Sequence, residues 1–309
     1  MRRVWIALWG ALLAVGLAAM PLAGASAQNG LERFEKELKP QLELEKFTYR
    51  SGRPLGSSGF ELEGVEAVVP ANAATGDKAS TVRIDKVTVQ ELDFDRLRKD
   101  ARDDLAPRFA KVRLEGMTGD DELFAALEPY GVPKVPVDVT FDYLLDPAAK
   151  VLTVNTLEVG LRGQAKLTLG LVMDGISDKT DMDTAKDEGR IRTASLTFDD
   201  KELMSRLVPA FAKEEGLKPQ ELLATALDAI AGFAQLQSGE TLKSLDAVSS
   251  FLADWRAPKG PLALGLKPAR TAGLDDLDKI MVPNALSTIF GFTATYPATR
   301  AGAARAGSK

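Results

Sequence analysis

VPVDVTFDYLLDPAAKVLTVNTLEVGL, residues 135–161, decides the fold. Val135, Val137, Val139, Phe141, Tyr143 and Leu145 alternate with Pro136, Asp138, Thr140, Asp142 and Leu144. That is period 2, with one apolar and one polar face, the pattern of a half-buried strand. Asp146-Pro147-Ala148-Ala149-Lys150 reads as a turn, and Val151–Leu161 returns as a second strand. Residues 163–173 supply a third, with Leu167, Leu169, Leu171 and Met173 on one side. Three long consecutive strands with short links predict an antiparallel meander, and such a sheet tolerates one wet face.

The same reading extends upstream. Phe60–Val69, Thr81–Leu92 and Phe109–Met117 have strand composition. Val82 and Ile84 alternate in one phase, Val87 and Val89 in the other, which predicts a bulge near Asp85-Lys86. Residues 51–59 read as a loop, and residues 28–50 as a charged helix or extended lead-in broken at Pro40. Asp93–Leu105 and the stretch from Asp120 or Asp121 to Tyr130 read as helices.

Downstream, residues 174–190 form a polar loop and 191–198 a strand. Helices follow: one capped by Asp199 or Asp200 and carrying Leu203, Met204, Leu207 and Phe211, one opening at Pro219, and one capped by Ser238. Leu262, Leu264 and Leu266 mark a short strand, 274–290 a helical segment, and Phe292–Tyr296 a last strand. The predicted class is α+β: a curved antiparallel meander packed by a helical layer, as a single domain over residues 28–296. Residues 297–309 read as a disordered tail. Three Asp-led segments, Glu122–Pro129, Glu202–Pro209 and Asp276–Pro283, share a spacing that suggests repeated strand–helix units.

The N-terminus carries an export signal. Arg2 and Arg3 precede an uncharged apolar run from Val4 to Met20, and Ala25-Ser26-Ala27 fits signal peptidase, with the cut between Ala27 and Gln28. Residues 1–27 are thus expected to be a cleaved signal peptide, and the rest periplasmic in a Gram-negative cell, or else secreted. No later run is long enough to span a membrane as a helix.

Histidine and cysteine are both absent. Disulfides, thiol nucleophiles, thiolate metal sites and Ser-His-Asp machinery are therefore excluded. Without Arg2 and Arg3, 37 basic residues stand against 44 acidic ones, a net of about −7, which speaks against nucleic acid. No Gly-x-Ser-x-Gly elbow, Ser-x-x-Lys pair, Gly-x-Gly-x-x-Gly turn or Walker loop occurs. The expectation is a non-enzymatic protein with no cofactor and no metal. The acids of 174–190 lack the spacing of a calcium loop, and Trp255 falls on an amphipathic face suited to core packing.

VDVTFDYLLDPAAKVLTV, LTLGLVM, RIRTASLTFDDKELMSRLVPAFAKEEG and LALGLKPAR, behind such a leader, resemble a group of uncharacterised alphaproteobacterial periplasmic proteins. More loosely they are similar to YdgA-like and AsmA-like envelope proteins. The resemblance implies an envelope location, a β-rich fold and lipid handling, and it assigns no functional residue. Val137, Val139, Phe141, Tyr143, Leu167, Leu169 and Leu171 are the candidate lining of a hydrophobic groove. The functional expectation is lipid or another hydrophobic ligand bound in envelope maintenance. A scaffold or interaction module of an envelope complex is the alternative, and a carboxylate-based glycan hydrolase is a third.

Overall fold

Antiparallel pairing is what the alternation becomes, in a computed structural model that describes residues 28–71, 78–98, 105–120, 127–180, 182–237 and 239–299. The leader, the start of the helix expected before Tyr130, the Ser238 cap and residues 300–309 of the tail lie outside the described residues. The contacts gather into two compact units, Met1–Pro129 with Pro133–Tyr143, and Tyr130–Val132 with Leu144–Lys309. Each has a core of its own, which a run of similar strands does not announce.

In the first unit, α1 (Gly30–Arg33) continues as a π turn over Phe34–Leu38 and a 3₁₀ turn over Lys39–Gln41. Asn29 caps it, its Oδ1 accepting the Glu32 N–H at 3.0 Å. The strands are β1 (Lys46–Thr48), β2 (Ser51–Pro54), β3 (Phe60–Val69), β4 (Ser80–Leu92), β5 (Phe109–Gly119) and the first part of β6 (Val137–Asp146). They lie in the order β1-β3-β4-β5-β6, with β2 also on β3. β2 corrects the loop expected at 51–59: four residues pair with β3 at its edge, where Pro54 lacks no needed donor. α2 spans only Phe94–Leu97 of the helix expected from Asp93, and residues 99–104 lie outside the described ones.

Phe34, Leu38, Phe60, Leu62, Val65, Val89 and Phe94 form the buried core of this unit. Phe34 stacks on Phe60 at 4.5 Å and meets Phe47 edge-on at 5.7 Å. Each such buried side chain contributes about 1.5–3 kcal/mol of transfer free energy.

The phase change expected near Asp85 is present, but not as an extra residue there. β3–β4 pairing runs from Glu63↔Lys86 to Val65↔Ile84 without a shift, and the one shift on β4 comes later, between Val89 and Glu91. Instead the neighbours on either side of Asp85 turn: Gly64 on β3 and Gly116 on β5 both take positive φ, +61° and +67°. Leu62 and Val65, or Val87 and Ile84, thereby reach one core although their spacing is odd. Only glycine adopts this conformation cheaply.

In the second unit, β6 ends in the expected turn. Asp146 Oδ1 accepts the N–H groups of Ala148 and Ala149, each at 3.0 Å. β7 (Val151–Leu161), β8 (Ala165–Asp174), β9 (Arg190–Asp200), β10 (Leu262–Leu266) and β12 (Phe292–Thr295) follow in that spatial order, with β11 (Ala272–Gly273) on β9. The polar 174–190 segment contains a helix, α3 (Met182–Glu188), rather than only loop. Gly189 closes it by donating to the Ala185 carbonyl at 3.0 Å.

Between β9 and β10 come α4 (Leu203–Glu214), α5 (Pro219–Ala234) and α6 (Glu240–Ala253). α7 (Ala285–Thr288) is short, because Pro283 and the positive φ of Asn284 break the helix expected over 274–290. A core of Leu245, Ala272, Leu286 and Phe290 joins α5 and α6 to Leu266 and Phe292. The α+β class and the antiparallel sheet with a helical layer hold. The repeat does not carry over to the described copies, since the segment at 203 is a 12-residue α-helix and the one at 274 a six-residue 3₁₀ turn.

Gly116 gives a direct test. A Cβ there would overlap the Asp85 carboxylate, and its φ is unfavourable for any L side chain. Gly116→Ala is expected to destabilise the protein by about 2 kcal/mol or more in urea unfolding.

Candidate functional site

Bulges decide which side chains share the sheet face of the second unit. Between Val154 and Leu157, β7 carries one residue more than β8. Leu152 and Val154 would otherwise face away from Leu157 and Val159, because strand side chains alternate. With the bulge, Leu152, Val154, Leu157 and Val159 lie opposite Met173, Leu171, Leu169 and Leu167. β9 does the same: a shift at Arg192 brings Ile191 opposite Met173, while Ala194, Leu196 and Phe198 oppose Leu171, Leu169 and Leu167. β10 adds Leu262, Leu264 and Leu266. The result is an apolar face four strands wide.

The reverse face is small and polar. Thr168 opposes Thr197 and Glu158, Gly170 opposes Ser195, and Gly265 opposes Thr293. Lys166 Nζ pairs with Glu158 at 3.2 Å.

Cover over the apolar face is uneven. At the β9–β10 end Leu262 is buried, and Phe198 meets the buried Phe251 of α6 edge-on at 5.8 Å. Trp255 is buried as well, with the Arg256 guanidinium 4.3 Å from its ring centre. Along β7 no side chain is buried, and on β8 only Ala165 is. Leu169, Leu171 and Met173 are half-buried, and Leu167 is 39% exposed.

The seven candidate lining residues therefore separate. Val137, Val139, Phe141 and Tyr143 belong to the first unit, and Leu167, Leu169 and Leu171 to the second. Val137 and Val139 are buried. Phe141 and Tyr143 are half-buried with their rings 5.0 Å apart, and the Tyr143 hydroxyl donates to the Pro107 carbonyl at 3.0 Å. Burial pushes that phenol up to about 12, so it stays a neutral donor at physiological pH. Of the three leucines of β8, Leu167 is exposed, and Leu169 and Leu171 are half-buried. Sequence reading missed their partners Leu152, Val154, Leu157 and Val159, although the change of phase across Asn155-Thr156 was the signal for them.

Among the described residues three acids are buried: Glu61, Asp93 and Asp200. Glu61, on β3, receives Arg53 Nε at 2.9 Å and Lys86 Nζ at 2.8 Å, and these bonds hold its carboxyl down at about 2. Asp93 is opposed by burial, but the side-chain and backbone N–H groups of Arg108, at 2.9 and 3.0 Å, outweigh it and keep the acid below its usual range. Both acids stay ionised in cationic company, which leaves neither as a proton donor near neutrality.

Asp200 goes the other way, raised chiefly by burial. Its Oδ1 accepts the Met204 N–H at 3.0 Å, as the sequence anticipates for a cap at this helix. Gln164 helps hold the same helix start, its carbonyl accepting the N–H groups of Lys201, Glu202 and Leu203, and its Oε1 accepting Arg206 Nε at 2.9 Å. α4 does not bury the expected Leu203, Met204, Leu207 and Phe211; it buries Val208 and Ala212, and Phe211 lies outside against Tyr130 at 4.8 Å. Among the described residues, no three His, Cys, Asp or Glu side chains gather as they would around a metal ion. No described helix is long and apolar enough to cross a membrane.

Glu61 offers a measurable consequence. Its folded-state carboxyl lies below the unfolded value, so its contribution to stability is complete above about pH 4.5 and lost as pH falls toward 2. Glu61→Gln is expected to lower the melting temperature by a few degrees at pH 7, and the difference from the parent should close progressively between about pH 4.5 and 2.

A family described as "Uncharacterized protein" matches residues 158–297, from within β7 to just beyond β12. None of the curated proteins matches the chain.

Proposed function

We propose that this is an exported, periplasmic, non-enzymatic protein that binds an acyl chain or another apolar ligand in maintenance of the cell envelope. The observation that carries the reading is the apolar face of β7 and β8, whose leucines and valines are aligned by a bulge and yet, among them, none is fully buried and Leu167 is exposed. Soluble monomers rarely leave large contiguous apolar surface to water without a use for it. Extended hydrocarbon suits such a ladder, because its contacts are non-directional and scale with area. Of the buried acids, Glu61 and Asp93 are engaged in ion pairs, and Asp200 accepts the Met204 N–H at a helix start.

Native mass spectrometry of protein purified from the periplasmic fraction is expected to show a chain beginning at Gln28 with co-purified lipid. A fluorescent fatty acid should bind it. Leu167→Asn should weaken that binding about fivefold, at a stability cost below about 1 kcal/mol because the side chain is already part-exposed. A clean apo mass together with no fatty-acid binding would overturn the reading. A reproducible crosslinked protein partner in that case would turn it toward the interaction module.

A further inference from the structure

A second apolar feature of the second unit has a different form. Ile280, Met281 and Val282 are consecutive and are 40%, 63% and 51% exposed. They sit between the 3₁₀ turn at Leu274–Lys279 and α7. The backbone around them is tied down. Val282 N–H donates to Lys279 at 2.9 Å, Ala285 N–H to Val282 at 3.0 Å, and Asn284 N–H to the Leu236 carbonyl beyond α5 at 2.8 Å. Immediately after the loop, Ala285, Leu286 and Phe290 are buried in the core that α6 shares. The chain therefore enters an apolar interior within three residues of leaving three apolar side chains in water. Their exposure comes from how the loop is held, not from a lack of core nearby.

The geometry points to docking of this loop into the apolar boundary of a lipid bilayer. Consecutive side chains along a loop leave the backbone in different directions. A flat protein partner covers one side of such a loop, whereas fluid hydrocarbon surrounds all three side chains at once. The preceding residues settle the headgroup preference. Asp275, Asp276 and Asp278 stand against Lys279, whose ammonium is already bound to Asp276 at 2.6 Å. Such a flank is net negative and is repelled by anionic lipid, so attachment is hydrophobic and favours zwitterionic headgroups. This contact differs from the proposed ligand face on β7 and β8. The loop would bring the protein to a membrane whether or not the sheet carries a lipid.

Co-sedimentation of the full chain with phosphatidylcholine vesicles tests it, with and without added phosphatidylglycerol. The expected result is binding that neither phosphatidylglycerol nor low salt strengthens. Met281→Asp and Val282→Asp should each reduce the bound fraction about tenfold without shifting the melting temperature by more than a few degrees. The same charge at Leu144, also exposed, should leave binding intact. Absence of vesicle binding by the parent, equal binding by Met281→Asp, or equal loss from Leu144→Asp would each overturn the assignment. Self-association dissolved by Met281→Asp, with no vesicle binding, would overturn it too. Lipid co-purification reads the sheet face independently, so failure of one leaves the other standing.

Discussion

Long strands cannot keep their apolar side chains on one face by alternation alone once the sequence changes phase, and both units are built around correcting that phase. A single slip would send every later side chain of the strand to the wrong side. The first unit corrects without adding a residue: Gly64 and Gly116 rotate on either side of Asp85, and the Gly116 N–H is then bound by Asp138 Oδ1 at 2.7 Å. The second unit corrects by insertion, with one surplus residue on β7 before Leu157 and one on β9 at Arg192. Bulges also bend the strands that carry them.

Once the faces are fixed, the two units treat them differently. In the first, the segment from α1 to Gln41 lays Phe34 and Leu38 on the apolar side of β3 and β4, and Phe94 joins them. Its other side carries alternating charges, in which Glu61 joins Arg53 and Lys86, and Glu66 joins Lys46 and Arg83. The more exposed pairs of Glu66 contribute little stability each, so beside the buried Glu61 the unit rests chiefly on its aromatic core. In the second, the helices between β9 and β10 concentrate on β10, β12 and Phe198. Its polar side carries Thr168, Thr197, Ser195 and Gly170 with the Lys166–Glu158 ion pair, too small and too polar to form a core of its own.

The strands were legible because period 2 survives in the sequence; β3 to β10 and β12 fall close to where alternation places them. The fine structure was less so. Alternation marks a change of phase at Asp85 but not whether a bulge or two flanking glycines will absorb it. β2 lay hidden because Ser51-Gly52-Arg53-Pro54 has turn composition, and only an available edge of β3 makes it a strand. On α4, Leu203, Met204, Leu207 and Phe211 looked like the buried stripe, yet Val208 and Ala212 are the buried ones. Amphipathic spacing gives a face, and packing rotates the helix about it. Alternation alone does not tell the burial of the candidate lining apart: Leu167 is exposed, Leu169 and Leu171 are half-buried, and Val137 and Val139 on β6 are buried.

Stability and function compete for the same apolar residues in a chain without histidine or cysteine. Disulfides cannot assist, so burial must supply most of the folding free energy, at about 25 cal/mol per Å² of apolar surface removed from water. Each leucine left half-exposed on β8 forgoes part of that. The first unit forgoes little, since Leu62 and Phe94 are each 1% exposed. The second forgoes more: Phe211 on α4, Leu242 on α6 and Ile280, Met281 and Val282 before α7 are exposed, and the apolar face that the bulges align on β7 and β8 is only partly covered. An occupant of that face would recover the forgone burial, and its binding would stabilise the fold by the same free energy with which the fold holds it.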